Sequence, residues 1–252
     1  MTDRLFVRRG LLAAGFAEHE VRRWHRTGEL RTVRRGVYVA DELPAVPEAR
    51  HVVEVHAAMR LLSSDAVVSH VSAALLHGLP AWAVLLDNVH VTRNRRSGGR
   101  RRSGVHVHGA PLDRGEIVTI GGLPVTSIER TLADLARSLP LEQAVVISDA
   151  ALARGLTTSD LVLASVERQA RWPGAPGARR VLTFADGRSE SVGESRSRVA
   201  IARVGLPEPR LQWEVLSRSG TITGRVDFGW PKRCAVGEFD GRSKYGRLLQ
   251  PG

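Results

Sequence analysis

The stretch LLAAGFAEHEVRRWHRTGELRTVRRGVYV, residues 11–39, decides the reading of the first domain. Leu5, Phe6, Leu11 and Leu12 offer the apolar face of a first helix, Gly15 interrupts it, and Phe16 closes the turn from the core side. A second helix is predicted over residues 17–27. Glu18 and Glu20 stand in its first turn and Arg22, Arg23 and Arg26 near its end, so charge complements the helix dipole at both ends. Val21 and Trp24, three apart, face the core, and Gly28 stops the helix in a left-handed cap. Residues 30–33 and 37–40 alternate like two short strands around Arg34, Arg35 and Gly36. The outline is a winged helix-turn-helix with a basic helix and a basic wing, over residues 1–42.

Outward from this segment, DELPAVPE (residues 41–48) reads as a linker. A mixed α/β middle domain is expected over 49–170. Its helices fall at 49–62, 69–77, 128–136, 141–154 and 159–170, and its strands at 88–92, 105–108 and 116–120. Gly121–Leu123 reads as a hairpin turn, and Ser127 as a helix N-cap. RNRRSGGRRR, residues 93–102, joins the first two strands as a solvated finger. Arg95, Arg96, Arg100 and Arg101 there either contact phosphates or decorate a flexible hairpin tip. RWPGAPGA, residues 171–178, is a second break. Beyond it, helices at 179–185 and 191–204 precede strands at 211–216, 221–228 and 234–239, an αβββ order over residues 179–252. The fold class expected is therefore α+β multidomain.

The 252 residues carry 37 Lys plus Arg against 26 Asp plus Glu, a formal charge of +11 that points to a polyanion. Nearly all of it is arginine, as an arginine-biased genome also produces, so its placement decides the reading. It concentrates on the second helix and the wing. A helix about 10–12 Å across fits a major groove, and arginine pairs bidentately with guanine. Arg22, Arg23, His25, Arg26, Arg31, Arg34 and Arg35 are the expected contacts to double-stranded DNA. Fibrous and wholly disordered classes are excluded by a composition 42% hydrophobic and 25% charged. A single cysteine, Cys234, rules out an internal disulfide, fits a reducing cytoplasm and reads as a small buried strand residue. The start shows no signal peptide, and no run long enough to span a membrane appears.

The 11–39 run, with its glycine turn, R-T-G-E-L helix end and R-R-G-V-Y wing, resembles the N-terminal domain of the AbiEi-family antitoxins of type IV toxin–antitoxin systems. HVSAALLHGLP (70–80) and LPVTSIERTLADLA (123–136) resemble the region that follows it in actinobacterial members. The resemblance implies a winged-helix DNA binder that represses its own operon, with a nucleotidyltransferase-type toxin as genetic partner.

The last third holds an acidic set. Glu194 stands on a helix, Asp227 ends the TGRVDF strand (223–228), and Glu238 and Asp240 lie two apart in CAVGEFDG (234–241), on one face if the strand is regular. Carboxylates so gathered hold a divalent cation that polarises a phosphodiester and activates water. The pattern resembles the PD-(D/E)xK nuclease superfamily, in particular its very-short-patch-repair-like endonucleases. By that resemblance Asp227 and Glu238 bind Mg²⁺ and Glu194 assists. Asp240 takes the place where the family keeps a lysine, with Lys244 the one lysine nearby. The family continues with a helix and a further strand, whereas this chain ends at Gly252, so an incomplete, inactive nuclease-like domain is expected. The alternatives to an antitoxin-like repressor are a Mg²⁺-dependent endonuclease delivered by its winged helix, and an interaction protein binding an acidic partner. His51, His56, His70, His77, His106 and His108 read as core or surface histidines rather than ligands, since no cysteine or acid accompanies them.

Overall fold

The computed structural model of the chain describes residues 5–96 and 98–240. Ser97, Lys244 and the chain end lie outside the described residues. The chain is α+β and divides into two compact units, Met1–Thr131 and Leu132–Gly252. The sequence breaks at 41–48 and 171–178 fall inside these units. Among the described residues no helix is long and apolar enough to cross a membrane.

The first unit begins with strand β1 (Leu5–Val7), helices α1 (Arg8–Ala13) and α2 (Glu18–Thr27), and the hairpin β2 (Arg31–Arg34) and β3 (Val37–Val39). These strands form a sheet in the order β1-β3-β2. Leu5 and Phe6, expected on the first helix, instead lie on β1, where Phe6 pairs with Tyr38. The apolar spacing of Leu5 and Phe6 serves a strand edge as well as a helix face, and the distant partner decides. Helix α2 starts one residue later than expected and stops as expected. Gly28 takes φ 83°, open to glycine without strain, and the Leu30 N–H closes back on the Trp24 carbonyl at 3.0 Å.

Next come α3 (Pro47–Met59), β4 (Ala66–Val68), α4 (His70–Leu76), β5 (Val89–Asn94), β6 (Gly99–Arg102), β7 (Val105–Ala110), β8 (Ile117–Ile120) and β9 (Leu123–Thr126). The six strands order as β6-β7-β5-β4-β9-β8. Val55 and Ala58 of α3 and Ala73 of α4 pack with Val68, Val89, Val91, Val105 and Val125 into one core. The arginine finger does not join a hairpin, because β5 and β7 pair in parallel. The last four residues of the finger form strand β6, antiparallel to β7 and exposed along its whole length. Gly121 and Gly122, both at positive φ, make the two-residue turn between β8 and β9.

Helix α5 (Ile128–Ser138), on which Ser127 Oγ accepts the Arg130 N–H at 3.3 Å, runs into the second unit. There follow α6 (Leu141–Ala153), α7 (Ser159–Arg168), α8 (Ala175–Phe184), α9 (Val192–Arg203), β10 (Arg210–Leu216), β11 (Ile222–Trp230) and β12 (Ala235–Gly237). Helix α8 begins inside the Pro/Gly break because proline is tolerated in a first helical turn. Ala133, Ala136, Ala144, Val145, Val166, Ala178, Val181 and Val199 form the helical core, and β10-β11-β12 make an antiparallel meander. Cys234 is exposed, at φ 48° in the turn before β12, not buried in a strand as expected, because β12 starts only at Ala235.

Candidate nucleic-acid interface

Helix α2 turns Ala17, Glu20, Val21 and Trp24 inward, the i, i+3, i+4, i+7 stripe of an amphipathic helix. Phe16 meets Trp24 edge-on at 5.2 Å and fixes the entry of the helix. Ala17 has no side-chain acceptor, so only the return half of a capping box forms, with Glu20 accepting the Ala17 N–H at 2.8 Å. The opposite face exposes His19, Arg22, Arg23, His25 and Arg26. Arg22 donates to Glu18 at 2.7 Å, and Arg8 bonds the same carboxylate. Together Arg22 and then Arg8 hold the Glu18 carboxyl below the usual carboxylate range. Among the described residues Arg23 and Arg26 make no ion pair. An open cleft of about 770 Å³ between α1, α2 and the hairpin is lined by Arg8, Arg9, Arg22, His25, Arg35 and Tyr38.

On the hairpin Arg35 is exposed beside Gly36. Arg31 pairs with Glu42 at 3.4 Å. Arg34 turns away from the tip and donates to the Ser103 carbonyl at 2.7 Å, which joins the hairpin to the turn between β6 and β7. A second cleft, of about 460 Å³, opens there and is lined by Arg34, Arg93, Arg95, Arg100 and Arg102. Its one acidic neighbour among the described ion pairs is Asp65, 3.5 Å from Arg93 and 3.9 Å from Arg95. Alternation along β6 sends Arg101 the other way, where its Nε donates to His106 Nδ1 at 3.3 Å. Arg96 is exposed.

The acidic set is differently arranged. Glu194 is buried in the first turn of α9, where its carboxylate accepts from Ser191 Oγ (2.7 Å), the Glu190 N–H (2.9 Å) and Gln212 Nε2 (2.9 Å). S-V-G-E at 191–194 is thus an N-terminal capping device that the sequence reading passed over. Asp227 accepts the Phe239 N–H at 2.7 Å, and the Phe239 ring lies against Gly193, where a Cβ would come within 1.9 Å of it. The start of α9, the end of β11 and the segment after β12 therefore meet around Phe239. Glu238 and Asp240 do not stand on the strand, which ends at Gly237, and both are exposed. Among the described residues, no three of Glu194, Asp227, Glu238 and Asp240 bring ligand atoms all within 4.8 Å of one another. Glu194, expected to assist Mg²⁺, is engaged as a helix cap.

Six of the nine histidines fall into two kinds. His51 is buried between the Leu86 carbonyl (3.0 Å) and Ser72 Oγ (2.8 Å), and burial lowers its pKa. His77 Nε2 lies 2.9 Å from the Thr126 carbonyl. Both are structural. His70, His90, His106 and His108 instead converge. His90 Nδ1 lies 3.0 Å from His108 Nε2, and the His70 and His108 rings stack at 3.8 Å. His106 lies 3.8 Å from His108 and 5.0 Å from His90, centroid to centroid. Burial first, then the neighbouring His106, His51 and Arg101, push the His90 pKa down to about 4. His70, His90 and His108 are the one trio of ligand side chains among the described residues whose donor atoms all lie within 4.8 Å. The two-residue spacing of His106 and His108 was visible in the sequence, but His90 was not singled out there. Only the parallel register of β5 and β7, which sets His90 against His106 and Thr92 against His108, brings it to them.

No family model matches the chain. Among curated proteins, the uncharacterized proteins MT2308 and Rv2248, from two strains of Mycobacterium tuberculosis, are each 36% identical over 141 residues, covering 54% of this chain and 49% of theirs. The chain thus spans about half the length of the curated relatives it matches. Among solved structures, the crystal structure of the Rv2827c protein of Mycobacterium tuberculosis is similar at a TM-score of 0.48 and 14% identity, over 85% of this chain and 84% of that one.

Proposed function

We propose that the chain is a double-stranded DNA-binding regulator of the antitoxin type, with β1–α1–α2–β2–β3 acting as a winged helix-turn-helix. The observation that carries this reading is the exposed cationic face of α2, Arg22, Arg23, His25 and Arg26, with Arg35 beside it on the same basic cleft. Ten residues of helix span about 15 Å, enough to lay this face along a major groove. The arginines of β6 belong to the same reading as phosphate contacts, since their cleft concentrates positive charge on an exposed edge strand. A nucleotidyltransferase-type partner belongs to it too, and rests only on the resemblance carried by residues 11–39, 70–80 and 123–136. Cleavage is left out of this reading, because no three of the carboxylates gather and Glu194 is held as a cap.

The test is fluorescence anisotropy on duplex DNA from upstream of the chain's own gene, over a series of salt concentrations. Binding should fall steeply with salt, because phosphate contacts release counterions. An Arg23→Ala or Arg26→Ala change that removes a phosphate contact flattens the slope by about 1, and one that removes a base contact costs about 1–3 kcal/mol at one position. Binding indifferent to salt, or unchanged when both arginines are removed, would refute the proposal.

A further inference from the structure

The histidine cluster is independent of the DNA-binding reading. It draws on three elements: His70 opens α4, His90 stands on β5, and His106 and His108 stand on β7. Alternation along paired strands puts His90, His106 and His108 on one face of the sheet. Four imidazoles stacked and edge to edge in one place are not needed to fill a core that valine and alanine fill elsewhere in this unit.

We propose that His70, His90 and His108 form a binding site for a divalent transition-metal ion of the zinc class, with a fourth position left to water or an exogenous ligand. Imidazole nitrogen suits Zn²⁺, Co²⁺ and Ni²⁺, and a trio without a carboxylate is a poor host for Mg²⁺ or Ca²⁺, which take oxygen. Zn–N bonds of about 2.0–2.1 Å in a tetrahedron put the ligand nitrogens about 3.3 Å apart. The His90–His108 edge already measures 3.0 Å, and one nitrogen of each of the three rings lies within 4.8 Å of the others, so coordination needs the rings, of which His70 and His108 are stacked, to turn towards a common point.

Two features of the surroundings support a built site. Metal-bound histidines are oriented by hydrogen bonds behind them. Here Ser69 Oγ lies 3.0 Å from His70 Nδ1 and is itself held at 2.8 Å by Thr92 Oγ1, all of them buried. His70 also takes φ 52°, a conformation that a non-glycine residue holds at a cost, and this aims its ring at the cluster. His106 is tied to the exposed Arg101 and stays outside the trio, as a neighbour that packs on His108. An ion at the trio would fasten β5 and β7 to the start of α4, one strand away from the arginines of β6.

The test uses the full chain after treatment with a chelator, titrated with Zn²⁺ by calorimetry and with Co²⁺ by visible absorption. One equivalent should bind, Co²⁺ should show the intense d–d bands of a tetrahedral site, and Zn²⁺ should raise the melting temperature. His90→Gln and His108→Gln should each weaken binding at least about tenfold and remove the tetrahedral bands. His77→Gln, outside the cluster, should keep both. A wild-type Co²⁺ spectrum of octahedral form, or Zn²⁺ binding equal in the His108→Gln and wild-type chains, overturns the proposal. If His108→Gln does not fold, the cobalt spectrum of the wild-type chain decides alone.

Discussion

Arg198→Met in the second unit should be strongly destabilising, for a reason that can be worked from the geometry. Asp149 on α6 is fully buried, with one carboxylate oxygen accepting from Arg198 Nη1 at 2.8 Å and the other from the Asp186 N–H at 2.7 Å. Arg198 on α9 also donates to Ser189 Oγ at 3.2 Å and to the Phe184 carbonyl, and lies over the Phe184 ring at 4.8 Å. Burial raises the Asp149 pKa and the facing guanidinium pulls it back. Methionine keeps much of the stem volume but strands a buried carboxylate, which costs about 3–5 kcal/mol, or a fall in melting temperature of roughly 6–20 °C in a chain of this size. The sign with pH follows. A carboxyl whose folded pKa is raised contributes stability that is present below its unfolded pKa and lost as pH rises through its folded value. Removing Arg198 raises the folded value further, so the deficit of the variant against wild type should be largest near neutral pH and shrink as pH falls towards about 4. Urea unfolding of both proteins across that range measures it, and Asp149→Asn with Arg198→Met should cost less than the sum of the two single changes. A neutral-pH loss under about 1 kcal/mol, or a deficit that does not change with pH, would refute the reasoning.

Three further outcomes are expected. Gly174→Ala should cost at least about 2 kcal/mol, because φ is 84° and the new Cβ would lie 2.2 Å from the Arg137 carbonyl oxygen, which is backbone and cannot swing away; thermal melts followed by circular dichroism test it. Ser191→Ala should lower stability by about 1 kcal/mol, since Ser191 Oγ accepts the Glu194 N–H at 3.1 Å and caps α9; a melting temperature equal to wild type contradicts the capping role. In metal-free protein the depressed His90 pKa contributes stability that is present above the unfolded value of 6.5 and lost as pH falls through about 4. That displacement is worth roughly 3 kcal/mol in full, and His90→Gln should flatten this part of the acid limb.

What the sequence made legible is what local chemistry decides. Helix α2 was readable because Glu18, Val21, Trp24 and Gly28 each mark a start, a face or an end within eleven residues, and the Gly121–Gly122 turn because only glycine takes both its positive φ values at ease. Strand β1 was not, since three residues become a strand only when β3 comes to lie beside them. Strand β6 was hidden for the opposite reason. Gly99–Arg102 has no apolar alternation at all, and it is a strand because its backbone finds β7. The histidine trio failed for the same cause at longer range, as a parallel register separates its members by 18 residues or more along the chain. Of the acidic set, the sequence reading placed Glu194 on the correct helix and missed that Ser191 and Glu194 form the S-x-x-E cap at its start.

The net charge of +11 takes on a different meaning once each arginine is followed to its partner. Arg130, fully buried, donates to Glu116 at 2.9 Å and to the Pro111 carbonyl at 2.8 Å; Arg137 reaches Asp134, Gln169 and the Pro173 carbonyl; Arg198 holds Asp149; and Arg34 bonds Ser103. Arg130, Arg137 and Arg198 each use a planar fork to satisfy several acceptors at once, a task lysine performs poorly. Part of the arginine excess therefore serves the interior, and of the exposed remainder the arginines on α2, the hairpin tip and β6 are the ones that the DNA-binding proposal uses. A charge scan for DNA affinity has to separate these two populations. Loss of binding in Arg130→Ala or Arg198→Ala should come with a fall in melting temperature, whereas Arg23→Ala and Arg26→Ala should lose affinity at an unchanged melting temperature. If the exposed arginines destabilise the chain as much as the buried ones do, α2 is a packing element and its basic face is not an interface.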